Sequence, residues 1–177
     1  EICLFQGGLD MGMTGQKNAQ LQVHIRWMIR RDMADVMAIE SAQKSFPWSE
    51  DEFLKVLRRR NCIGMVAEAD DRVVGYIIYE LNKYKLSIVN FAVHPDFQRR
   101  GVASQMAAKL IGKLSNQRRT KILTTVRETN LDVQLFLRSI GFKAIEIIRE
   151  LFDDTGEDGY IMVYSHDEAK PPQLLAG

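Results

Sequence analysis

Residues 91–104 read Phe91-Ala92-Val93-His94-Pro95-Asp96-Phe97-Gln98-Arg99-Arg100-Gly101-Val102-Ala103-Ser104. Their reading decides the fold. The run Leu86 to Val93 (LSIVNFAV) is almost continuously apolar, as expected of a central strand covered on both faces. His94-Pro95-Asp96 turns the chain, and an amphipathic helix predicted over Gly101 to Leu114 follows, with Met106, Ala107, Leu110, Ile111 and Leu114 inward. The first turn of a helix presents unpaired backbone N–H groups and the positive end of the helix dipole, a ready seat for a pyrophosphate. Gly101 has no side chain to hold a ligand off the backbone, Ala103 is nearly as small, and Arg99 and Arg100 add positive charge.

Outward from this centre the periodicity alternates between two and 3.6. His24 to Arg30 alternates Ile25, Trp27 and Ile29 on one face and predicts a strand. Asp32 is placed to cap a helix running to about Gln43, with Met33, Val36, Met37 and Ile39–Glu40 as its stripe. Ser49 and Glu52 form a capping box that opens a second helix through Leu57. The run Arg58-Arg59-Arg60 at its end reads as complementing the helix dipole in solvent, in preference to a nucleic-acid patch. Strands are predicted at Gly64 to Glu68 and Val73 to Leu81, joined by a turn at 69–72, and at Lys121 to Val126. Leu131 to Ile140 reads as a short helix ended by Gly141. Phe142 to Phe152 and Tyr160 to Tyr164 read as a closing hairpin around 153–159. The order β-α-α-β-β-β-α-β-α-β-β is that of an α/β (α+β) domain, with a mixed, mostly antiparallel sheet of about seven strands and about four helices.

Composition bounds the function classes. The 177 residues are 46% hydrophobic and 27% charged, ordinary for one globular domain with its own core. Lys+Arg 24 against Asp+Glu 23 gives a net charge of +1, too small a bulk field to hold nucleic acid or an anionic membrane, although a local basic patch stays open. No membrane span is expected. Cys3 and Cys62 suggest neither a disulfide framework nor a metal site, and a cytoplasmic location fits best. No positive segment followed by an apolar run opens the chain, so no secretion signal is expected. Residues 1–12 read as a tag or cloning remnant, since Glu1 to Gly7 resembles a processing-protease site. The domain is expected over 24–165, and 166–177 reads as a loose C-terminal tail.

Four segments together resemble the Gcn5-related N-acetyltransferase (GNAT) superfamily, and within it the bacterial ribosomal-protein alanine N-acetyltransferase (RimI-like) group. They are Phe46-Pro47-Trp48-Ser49-Glu50, Phe91–Pro95 with Gln98-x-x-Gly101-x-Ala103, Val126-Arg127-Glu128-Thr129-Asn130, and Ser139-Ile140-Gly141-Phe142. The resemblance covers about Arg26 to Tyr164. It implies acetyl transfer from acetyl-CoA, a co-substrate, to a primary amine, with a protein N-terminus as the foremost acceptor and a small amine as the alternative. No metal, no covalent intermediate, no nucleic-acid or membrane partner, and a monomer or weak dimer are expected alongside it. The backbone of Phe91, Ala92 and Val93 would hold the pantetheine arm. Gln98, Arg99, Arg100, Gly101, Val102, Ala103 and Ser104 would cradle the pyrophosphate, and Asn130 would contact the cofactor or cap a helix.

The chain departs from the group at both proton carriers. Where the group has a glutamate before its V-R segment, this chain has Thr125. Where the group has a tyrosine near its S-L-G-F segment, it has Leu137, with Phe136 beside it. Three accounts stay open. A water held by Thr125, Ser87 or another polar group removes the proton; Glu80, Tyr79 or Tyr160 substitutes; or the protein binds the cofactor without catalysis. Trp48 would wall the acceptor site or sit in the core. Cys62 reads as a small core residue and His94 as a turn residue.

Overall fold

The computed structural model describes residues 19–166; the proposed remnant at 1–12 and all of the tail except His166 lie outside them. Seven strands form one sheet in the order β1-β2-β3-β4-β5-β7-β6. They are β1 His24–Trp27, β2 Cys62–Ala69, β3 Arg72–Leu81, β4 Lys85–Val93, β5 Lys121–Arg127, β6 Lys143–Phe152 and β7 Glu157–Ser165. Every neighbouring pair is antiparallel except β4 and β5, which run parallel. Helices α1 (Met33–Gln43) and α2 (Glu50–Leu57) cover one face, burying Val36, Ile39, Phe53 and Val56 against Tyr76, Ile78 and Ala92. Helices α3 (Val102–Ile111) and α4 (Leu131–Ser139) cover the other, burying Met106, Leu110 and Leu137 against Ile77, Phe91 and Val126. The predicted order of elements and the doubly covered central strand are both present.

Local chemistry explains most boundaries. Ser49 and Glu52 exchange the expected capping bonds, Ser49 N–H to the Glu52 carboxylate at 2.7 Å and Glu52 N–H to Ser49 Oγ at 3.3 Å. Asp70 and Asp71 both have positive φ, the twist-matched geometry for a two-residue hairpin. Gly141, at φ +99°, ends α4 while Phe142 N–H returns to Leu137 O at 3.0 Å.

Two expectations at the first strand fail. β1 stops at Trp27; Met28 and Ile29 lie outside it, and a one-turn 3-10 helix begins at Arg30. Of the supposed inward face only Ile25 packs on the core, while Trp27 and Ile29 are 57% and 47% exposed. Asp32 stands at the start of α1 but makes no capping bond with its side chain. Its carboxylate instead accepts from Ile29 N–H at 2.8 Å and from Arg26 at 2.7 and 2.9 Å. A guanidinium fork offers two charge-assisted bonds where a cap offers one neutral donor, so the ion pair wins. Smaller shifts concern ends: β2 is longer than predicted, α3 stops at Ile111, and Glu157 to Gly159 belong to β7 rather than to the loop.

Candidate active site

The site begins where the sheet comes apart. β4 and β5 pair only at Lys85–Lys121, Leu86–Ile122 and Ser87–Leu123. Immediately afterwards the β3 register jumps from Tyr79–Ile88 to Ile78–Asn90, leaving Val89 as a bulged extra residue on β4. A bulge bends its strand and increases its twist. Beyond it, His94 N–H bonds Val74 O at 2.8 Å, so alternation turns the backbone groups of Phe91 and Val93 away from β3, toward the widening gap. The Val93 carbonyl accepts from Gln98 Nε2 at 3.3 Å, and the same amide donates to Gln43 Oε1 at 2.8 Å. The gap opens into a cleft of about 210 Å³ lined by Phe91, Ala92 and Val93, by Gln98, Arg99 and Gly101 to Ser104, and by Asp132, Val133 and Phe136.

The loop at the mouth of this cleft is built for close approach of a ligand to its backbone. His94 Nδ1 accepts Asp96 N–H at 3.2 Å and starts the turn Pro95–Phe97. Arg99 and Gly101 then both take left-handed conformations, φ +56° and +79°, at the entry to α3. Alternating backbone hands of this kind converge successive N–H groups into an anion-holding concavity. A segment that the motif reading did not use braces the loop from behind. Leu21 N–H bonds Arg100 O at 2.9 Å, and Gln105 ties Leu21 O at 2.6 Å and Val23 N–H at 3.2 Å. The guanidinium of Arg100 lies over the Phe97 ring, 5.8 Å from its centroid.

A Cβ built on Gly101 would meet Gln20 Cγ at 3.2 Å, in a backbone region that side chains rarely adopt. Gly101→Glu therefore adds strain, bulk and negative charge together at the entry to α3. Its affinity for acetyl-CoA, measured by calorimetry, is expected to fall by well over tenfold while the circular dichroism spectrum is retained. Unchanged affinity would remove the loop from the cofactor site.

The face of the fork covered by α1 and α2 carries Thr125. Leu123 and Ser87 face each other at the last pair, and Thr125 lies two residues further along β5 on that same face, half-exposed beside the fork. Ser87 Oγ accepts from Asn82 at 3.1 Å. Tyr79 and Tyr160 belong to the opposite face, with α3 and α4. Burial pushes the Tyr79 phenol up to about 12, so it stays protonated and makes a poor base near neutral pH. Glu80 is on the same face as Thr125 but is engaged by Arg59 at 3.4 Å and by the Cys62 thiol at 3.7 Å. Leu137 is 1% exposed within the core, and Phe136 lines the cleft. Asn130 caps α4 through Val133 N–H at 3.3 Å, and Asp132 rather than Asn130 lines the cleft. Trp48 is partly buried, edge-on to Phe53 at 5.2 Å.

Two buried ionic clusters flank the site, and motif reading found neither. On one side Glu40, Lys44, Asn90 and Tyr76 form a network. Lys44 Nζ lies 3.0 Å from the Glu40 carboxylate with both side chains fully buried. Tyr76 Oη donates to Glu40 and lies 3.1 Å from Asn90 Oδ1, Lys44 donates to Asn90, and Trp48 N–H reaches Glu40 at 3.0 Å. The one available signal was a glutamate inside the apolar stripe of α1.

On the other side Arg127, 1% exposed, binds Thr155 and Glu157 at 2.7 Å each and Asp154 at 2.5 Å, with its guanidinium 4.0 Å from the Phe152 centroid. These bonds fasten the β6–β7 hairpin to β5. The Arg127 bond holds the Asp154 carboxyl below the usual range; bonds from Thr129 and then Arg127 do the same for Glu157. A carboxyl lowered in this way binds protons more weakly folded than unfolded. Its stabilisation is whole above the ordinary carboxylate range and disappears as pH falls through the folded value. Denaturant midpoints should therefore fall below pH ~4, with a shallower fall in Asp154→Asn. An identical acid limb in the two proteins would detach the cluster from acid stability.

No three His, Cys, Asp or Glu side chains converge as a metal site among the described residues. Comparison with known proteins agrees with this geometry. The profile of the Acetyltransferase (GNAT) family matches residues 33–142. A [ribosomal protein bS18]-alanine N-acetyltransferase from Salmonella typhimurium is 30% identical over 133 residues, 74% of this chain and 89% of that protein. One from Haemophilus ducreyi is 25% identical over 78% of this chain and 97% of its own length. The ribosomal-protein-S18-alanine N-acetyltransferase of Escherichia coli superposes with a TM-score of 0.74 at 24% identity, covering 85% of this chain and 98% of that one. Arabidopsis thaliana NAA60 in complex with acetyl-CoA superposes at 0.72 with 13% identity, over 81% of this chain and 99% of that one. The split sheet, the left-handed glycine loop and these matches converge on one conclusion: the chain belongs to the acetyltransferase (GNAT) family, as an N-acetyltransferase that takes its acetyl group from acetyl-CoA.

Proposed function

We propose that the acceptor is the N-terminal α-amine of a protein, of the ribosomal-protein alanine type, and that the enzyme works in the cytoplasm. The observation that carries the reading is the fork between β4 and β5, with the Gly101 loop at its open end and Thr125 beside its base. Seven relatives named as bS18-alanine N-acetyltransferases, one of them as putative, support the acceptor class. Among the described residues no helix is long and apolar enough to cross a membrane.

Acetyl-CoA supplies a thioester whose carbonyl carbon is open to attack. In this reading the backbone of Phe91, Ala92 and Val93 pairs with the pantetheine arm as a strand edge would. Gln98 to Ser104 hold the pyrophosphate on converging N–H groups, and Asn130 acts by capping α4, whose first turn borders the cleft. The acceptor nitrogen then attacks directly: a C–N bond forms, the C–S bond breaks, and no enzyme nucleophile is acylated. Thr125 holds the water that takes the proton from the amine. Leu137 offers no proton to the departing thiolate, so that proton also comes from water. Orientation in the cleft supplies much of the rate, up to roughly 7–11 kcal/mol for well-placed reactants.

The test is turnover on a panel of Ala-starting N-terminal peptides beside polyamines and free amino acids, with coenzyme A thiol release as readout. Peptides should exceed the small amines in kcat/KM by at least tenfold. Preference for a small amine would replace the acceptor assignment.

A further inference from the structure

The end of the sheet away from the cofactor loop gathers positive charge that the sequence scatters over three segments. Leu81 N–H bonds Asn61 O at 2.7 Å, which sets Arg58 and Arg60 beside the β3–β4 turn. Arg119 Nε donates to Asn82 O at 2.7 Å and Thr120 N–H to Tyr84 O at 3.3 Å, which brings the turn before β5 against the same place. Arg58, Arg60, Lys83, Lys85, Arg118 and Lys121 are all exposed, and none is in an ion pair among the described residues. Segments 82–85 and 113–121 contain no carboxylate, and nearby Glu80 is taken by Arg59.

Two details mark this rim as more than a solvated edge. Lys85 and Lys121 are direct partners on neighbouring strands, an arrangement of like charges that destabilises a sheet. At the centre stands Tyr84, 66% exposed, with the Lys83 ammonium 4.9 Å from its ring centroid. An aromatic face flanked by cations is the combination that holds unpaired bases and their phosphates. A membrane surface would call for an amphipathic helix or apolar anchor, and the rim has neither. A duplex would call for an element entering a groove, and the rim is a row of strand ends.

We propose that this rim binds single-stranded nucleic acid, its cations on the phosphates and Tyr84 stacked on a base. The net charge of +1 is an average that conceals the segregation. The rim is distinct from the cofactor seat: Lys85 and Val93 lie at opposite ends of β4, about 26 Å apart at ~3.3 Å per residue. Binding there is independent of which amine is acetylated.

The experiment measures fluorescence anisotropy of labelled 12-mers, oligo-U RNA and oligo-T DNA, against the full chain at several salt concentrations. The triple variant Lys83→Gln/Lys85→Gln/Lys121→Gln should bind at least tenfold more weakly. The slope of log affinity against log salt should shrink by about two, at ~0.7 per phosphate contact. Tyr84→Ala should lose roughly tenfold and keep its salt slope. Saturating acetyl-CoA should displace neither oligonucleotide, and its own affinity should stay within twofold in both variants, which certifies the fold. A better grip on RNA than on DNA, or the reverse, identifies the source. Unchanged affinity and slope in the triple variant, displacement by acetyl-CoA, or binding to phosphatidylserine vesicles but to neither oligonucleotide would overturn the proposal.

Discussion

Thr125→Glu is expected to raise the rate of acetyl transfer at neutral pH by an order of magnitude or more. The position is half-exposed beside the fork, on the face of Ser87 and α1, so a longer side chain has solvent to extend into. A positioned general base is typically worth roughly 10²–10⁴-fold. If a water on Thr125 already supplies part of that help, the gain is smaller but the pH profile still moves, because a carboxylate titrates where water does not. Initial rates over pH 5.5–9 at saturating acetyl-CoA provide the check. A flat rate and an unmoved profile, in a variant that folds and binds the cofactor, would reduce Thr125 to a β-branched strand residue. Glu80, among the alternatives the sequence offered, would then be the next carboxylate on that face to test, and its release from Arg59 the next question.

The second large effect concerns stability rather than rate. Glu40→Leu leaves the Lys44 ammonium buried without its counter-charge and takes from Tyr76 Oη and Trp48 N–H the carboxylate they bond. Removing one partner of a buried ion pair costs about 3–5 kcal/mol. For a chain of this length that lowers the Tm by roughly 10 °C or more. Lys44→Met should be costly as well. The double variant Glu40→Leu/Lys44→Met should be markedly more stable than the sum of the singles requires, because it removes both charges at once. Differential scanning calorimetry on the four proteins closes the cycle. Additive losses would mean that the two side chains do not act as a pair.

This network shows where sequence reading reaches its limit. The Gly101 loop was legible as structure because its signal is local: an apolar run, a turn, a glycine and an amphipathic helix lie within one short stretch, and each element constrains the next. The fork was not legible. LSIVNFAV reads as a buried strand whether or not its second half has a partner, and the bulge at Val89 leaves no mark in its composition. The ionic clusters were hidden for a related reason, since Glu40 and Asn90, or Arg127 and Asp154, meet only through tertiary contact. Asp32 misled because a good capping residue met a better partner in Arg26. Thr125 was found through a departure from a resemblance, and only the pairing register gave it a place beside the fork.

The three-pair junction of β4 and β5 has a mechanical consequence. It divides the sheet into two plates, β1 to β4 and β5 to β7, sewn along a seam that ends at Ser87 and Leu123. Along the seam the plates share backbone bonds; beyond it they meet in the core shared with α3 and α4. A hinge of this kind lets the plates rock against each other at little cost in backbone pairing. A molecule wedged between them and bonded to both stiffens the assembly as a keystone stiffens an arch. At a hundredfold excess over its Kd, a ligand seated there only in the folded state adds about 2.7 kcal/mol to the resistance against unfolding.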